Sequence, residues 1–199
     1  MTDQLYLSIW LPEALGNWRT RYFEKILSLI PFSQREQGQS TLTVQAIDVT
    51  EPPLLERPMN GPFLPSDVSA LLRDYEGDDV AYRLESWWDL WVYNGEDWRI
   101  APARIAISAF GPKFDNGETL EMAAQEDLRI DFGVDTAFLP DPNLPGSGKL
   151  IESNIKSLLH LVRQVEEALP VEKRALETES GQNFAEKLTQ ILAGQTQTQ

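Results

Sequence analysis

Asn94-Gly95 stands between two long stretches of strand-forming residues, and no other feature constrains the fold of this chain as tightly. An Asn-Gly pair accepts the positive φ angles of a tight two-residue turn, so Val80 to Tyr93 and Trp98 to Phe110 are expected to fold back on each other as a hairpin. Strands joined in this way run antiparallel, which rules out an all-parallel sheet. Pro102 lies inside the second stretch and marks a place where that strand can break.

The remaining elements follow from periodicity. Gln4 to Leu11 alternates, with Leu5, Leu7, Ile9 and Leu11 on one face and Tyr6, Ser8 and Trp10 on the other, as in a half-buried strand. Asn17 is placed to cap a helix that runs to about Ile30 and stops at Pro31. Thr41 to Val49 reads as a strand rich in β-branched residues. Residues 51–65 hold Pro52, Pro53, Pro58, Pro62 and Pro65, so this segment can be neither helix nor central strand. Its Leu54, Leu55, Met59, Phe63 and Leu64 predict a loop packed on the body rather than a free linker. Ser66 is placed to cap a short helix over Asp67 to Tyr75. Asp127 to Phe138 reads as another strand. Lys149 to Leu169 is the longest helix, with Ile151, Ile155, Leu158, Val162, Val165 and Leu169 as its apolar stripe. A weaker helix covers Asn183 to Leu192, and 194–199 is expected to be a flexible tail. The expectation is one α+β domain over 1–193: a mostly antiparallel sheet of about five to six strands, with two main helices packed on one face.

Composition narrows the function. The net charge is −14, from 17 basic and 31 acidic residues, and the excess concentrates around Asp74, Glu76, Asp78, Asp79 and Glu85. Repulsion from phosphates argues against nucleic acid and anionic membranes as partners. The absence of cysteine removes disulfides and thiolate chemistry. Met1-Thr2-Asp3-Gln4 has no basic start, and Pro12-Glu13 interrupts the apolar stretch that follows. This is not a secretory signal, and a cytoplasmic location is expected.

Catalytic material is sparse. His160 is the only histidine, and helical spacing turns it away from the apolar stripe towards solvent. Neither a zinc site nor a Ser-His-Asp triad can be assembled from it. Asp115-Asn116-Gly117-Glu118 lacks the ligand alternation of a calcium loop and is better read as a turn. No cofactor or metal is expected. Asp89, Asp131 and Asp135 are the carboxylates placed for acid–base work, and exposed strand carboxylates are the simpler reading.

The aromatic pattern is more informative. In Ser86 to Tyr93 the alternation puts Trp88, Leu90 and Val92 on one face and Trp87, Asp89, Trp91 and Tyr93 on the other. Trp10, Arg104 and Arg129 fall on the same second face by their own alternation. Such a face needs cover, either from the Pro-rich segment and the C-terminal segment or from something external. Trp, Tyr and Arg are the types that carry binding energy at interfaces. The leading expectation is a non-enzymatic binding or inhibitor-type protein that holds a protein partner, or a second copy, through Trp10, Trp87, Asp89, Trp91, Tyr93, Arg104 and Arg129. A carboxylate-based hydrolase and a binder of small ligands on a Trp-lined face are the alternatives.

Overall fold

A computed structural model describes residues 3–12, 18–35, 39–59, 62–117 and 125–196; the expected cap at Asn17 lies outside them. The strands are β1 (Gln4–Trp10), β2 (Ser40–Ala46), β3 (Leu55–Met59), β4 (Val80–Tyr93), β5 (Trp98–Phe110), β6 (Leu128–Val134) and β7 (Lys173–Thr178). They form one sheet of seven strands in the order β3-β2-β4-β5-β6-β1-β7, and every neighbouring pair is antiparallel. The helices are α1 (Trp18–Leu29), α2 (Pro65–Leu72), α3 (Ser147–Ala168) and α4 (Phe184–Thr196).

The α+β class and the antiparallel sheet are as expected. The strand count is corrected from about five to six up to seven, because both edge strands escape the sequence signals. β3 lies within the Pro-rich segment. Leu54 donates its N–H to the Val44 carbonyl, so even-numbered residues of β2 face β3. Thr41 therefore turns away from β3, and its cross-strand partner Pro58 points its nitrogen outward, where no donor is needed. β7 (KRALET) carries no β-branched alternation to announce it. α4 continues through Thr196. Residues 135–138, read as strand, form a 3-10 helix. α2 opens with Pro65 in its first turn, where a missing N–H costs nothing.

All four helices bury side chains in one core with one face of the sheet. Leu5, Leu7 and Ile9 of β1, Leu84, Trp88 and Leu90 of β4, and Leu128, Ile130 and Phe132 of β6 supply the sheet side. Trp88 is fully buried, with ring centroids 5.7 Å from Phe132 and 6.0 Å from Phe138. α3 contributes Ile151, Leu158, Leu161, Val162 and Val165, whereas Ile155 is only half-buried and His160 is exposed. No helix among the described residues is long and apolar enough to cross a membrane.

Candidate functional site

The second face of the sheet is where the candidate residues lie. The register puts Trp87 opposite Arg104, Trp91 opposite Ile100 and Tyr93 opposite Trp98. Across the next ladders Arg129 lies opposite both Ser108 and Ser8, and Trp10 lies opposite Lys173. All seven candidates thus share one face, yet they do not form one site.

Two hollows divide them. Trp91, Tyr93 and Arg104 line a cleft of about 650 Å³. Trp10 and Arg129 line a broader groove of about 1290 Å³ with Tyr6, Phe114 and Lys173. Trp87 and Asp89 line neither; Asp89 is held by Ser33 Oγ at 2.7 Å and Arg35 Nε at 3.3 Å. The segment after β5 folds over part of this face, where Phe114 stacks on Phe110 beside Ala81 in a small second core. In the broad groove the cations are engaged: Arg129 pairs with Glu126 and lies 4.9 Å from the Tyr6 ring centroid, and Lys173 Nζ lies 4.2 Å from that of Trp10.

A charged ridge, Arg83 with Asp131, borders both hollows. Arg83 reaches Glu85 at 3.0 Å, Ser108 Oγ at 3.2 Å and Asp131 at 3.9 Å, while Arg104 reaches Glu85 at 2.5 Å. Burial works to raise the pKa of Glu85, but the hydrogen bonds and charges of Arg104 and Arg83 outweigh it and hold the carboxyl below its ordinary value. Glu85, paired with both arginines, is thus poorly suited to exchanging protons.

The narrower cleft arises because two strands part. β5 pairs with β6 only over Ala106 to Ala109. At Gly133 (φ 77°) β6 bulges, with the Gly133 N–H donated to Asp131 Oδ1 at 2.8 Å instead of to the ladder. Beyond that point the chain turns into the 3-10 helix Asp135–Phe138. On the other side the distal half of the hairpin is held by α3. The Asn154 carboxamide accepts from Trp91 N–H at 2.9 Å and donates to Trp91 C=O at 2.9 Å and Ala137 C=O at 2.8 Å. Trp98 Nε1 donates to Pro145 C=O at 2.7 Å. Between these walls lie Pro102, Ala103 and Arg104 of β5, Val134 and Thr136 after the bulge, and Leu144 and Ile151 at the start of α3.

The hydrogen bonds to Asn154 also show which groups of β5 are unpaired. Trp91 spends its N–H and C=O away from β5, so Trp91 and Ile100 form a non-hydrogen-bonded pair. The Asn94 N–H to Asp97 C=O bond at 3.1 Å closes the hairpin in the same phase. Ile100 and Pro102 therefore turn their main-chain groups toward the parting, while the Arg104 carbonyl lies against Gly133, where a Cβ would come within 3.3 Å of it. Pro102 does not break the strand, because its nitrogen lies on the side where, among the described residues, β5 has no paired strand.

Sequence reasoning missed Trp98, Leu144 and Val134 as lining of this cleft, and Asn154 as the residue that holds Trp91 and Ala137 at its wall. Only Pro102 and Gly133, each out of place inside a strand, hinted at it. Among the described residues no group of three or more His, Asp or Glu side chains is placed to hold a metal ion. Comparison with protein-family models, curated proteins and solved structures finds no match to this chain.

Proposed function

We propose that this is a non-enzymatic binding protein of inhibitor type, and that its site is the cleft between β5 and β6, where it takes apolar side chains of a protein partner. The observation that carries the reading is the wall of half-buried aromatics, Trp91, Tyr93 and Trp98, set into a concavity rather than a flat patch. A hollow of about 650 Å³ is within the usual range for binding sites, roughly 300–1,000 Å³. Val134, 44% exposed, and Ile100, 39% exposed, add apolar surface at the rim. The pairing of Glu85 with Arg83 and Arg104 favours binding over hydrolysis. The acidic surface suits a basic partner met in the cytoplasm, and disfavours nucleic acid and membrane.

The test is capture from the native host on the full chain, with Trp91→Ala and Val134→Asp beside the unaltered protein. One protein should be retained by the unaltered chain and reduced about tenfold or more by each variant. Trp91→Ala should cost about 1–2 kcal/mol of stability, below the 3–5 typical of a fully buried aromatic, because the side chain is half-exposed. Val134→Asp, at an exposed site, should melt as the unaltered protein does. Equal capture by all three chains would refute the site.

A further inference from the structure

We infer that the occupant of the cleft is an extended peptide segment that joins the sheet along the unpaired edge of β5, opposite Ile100 to Pro102. This rests on the reading of the cleft as a binding site and adds the mode of recognition. Hydrogen-bond direction alternates along a strand, and the Asn154 contacts fix its phase here. Ile100 N–H, Ile100 C=O and Pro102 C=O point away from β4, and β6 pairs with β5 only from Ala106 onward. Among the described residues no strand stands beside these groups. Main-chain groups in this arrangement are satisfied together by another extended backbone, which is how peptides add to open sheet edges. The edge from Ile100 to Pro102 spans about 7 Å at the usual strand rise, enough for about three residues of the segment, and the Arg104 carbonyl, which lies against Gly133, closes its end.

The chemistry specifies the segment further. The cleft is lined from both sides of the sheet: Trp91, Tyr93 and Trp98 belong to the second face, and Val92, Ala103 and Ile151 to the helix side. A strand lying in it would point alternate side chains at these two walls, so apolar residues are accommodated on both. Pro102 offers an acceptor and no donor, so the residue opposite it gives an N–H and receives none. The residue opposite Ile100 exchanges both bonds. Only a single strand can enter, because the sheet resumes on the far side of the parting; this favours a terminal or loop segment of a partner over the folded edge of a second copy.

The test uses the full chain and a phage-displayed library of random dodecapeptides. Enriched peptides, made synthetically, should bind the unaltered protein and lose affinity about tenfold or more on Ile100→Pro. That substitution deletes one edge donor at a position where Pro102, two residues on, shows proline to be accommodated. Ile100→Val keeps the donor and should change affinity by less than about threefold. N-methylation of two peptide residues spaced two apart should abolish binding, and methylation of the residue between them should not. Peptides that depend on Trp91 and Val134 but ignore Ile100→Pro would overturn strand addition while leaving the cleft as the site. Peptides indifferent to all these variants would overturn both readings, and a library that yields no binder would overturn strand addition.

Discussion

Gly111 shows how narrowly single positions are specified at the other end of the hairpin. A Cβ on Gly111 would lie 2.2 Å from the Asp78 carbonyl oxygen and 2.4 Å from Arg19 Nη1. Both neighbours are anchored. Asp78 C=O accepts from Lys113 N–H at 2.8 Å, and Arg19 donates to Val80 C=O at 2.8 Å and also to Gly77 C=O. Backbone and a tethered guanidinium cannot both retreat, so Gly111→Ala should cost about 2 kcal/mol or more in a urea melt. On α3 the contrast runs within a single turn. Leu158 is fully buried, and its change to alanine should cost about 3 kcal/mol; His160→Ala, exposed, should stay within about 0.5. Denaturant midpoints in the reverse order would contradict the packing of the helix.

At the scale of elements, the hairpin depends on α3 beyond the point where β2 and β6 stop supporting it. Asn154 is buried and bonded to two main-chain groups of Trp91 and one of Ala137. Asn154→Ala would leave those groups unsatisfied, at a cost of about 2 kcal/mol. It should also speed exchange of the Trp91 amide relative to that of Leu84, which hydrogen-exchange NMR would read directly. Loss of stability without faster exchange at Trp91 would refute the tie. The hairpin itself was legible, because alternation and Asn94-Gly95 are local: β4 and β5 have the limits read from them, and Trp88 and Trp91 take opposite faces. The edge strands were not, since Pro58 in β3 and the charged Lys173-Arg174 of β7 blunt the very pattern that reveals interior strands. The cleft was the least legible feature. It exists because β6 stops short along β5 and a distant helix supplies Asn154, and neither fact is written in the spacing of nearby residues.

For the molecule as a whole, α4 is fastened by a charge cluster around the buried Asp135. Lys187 of α4 lies 2.5 Å from Asp135 and 3.6 Å from Asp3, joining the ends of β6 and β1. The hydrogen bond to Asp135 is the largest influence and raises the lysine pKa above its ordinary value of 10.5. A raised folded-state pKa means this stabilisation is whole below that value and fades as pH rises through the folded one. The melting temperature should therefore fall above about pH 10.5. Lys187→Met should flatten that fall while lowering stability at neutral pH, since Asp135 is left buried and unpaired. An unchanged alkaline slope in the variant would exclude the cluster as its source. The position of β1 in the sheet carries a consequence for synthesis. Leu5 pairs with Thr178 and Leu7 with Ile130, so β1 is made before both of its neighbours and waits for them until much of the chain has followed. The β4–β5 hairpin closes locally, while Leu5, Leu7 and Ile9 remain without a ladder on either side. In the nascent chain this is the stretch that a chaperone would have to shield, and its capture by the late strands is the step that commits the sheet to its final order.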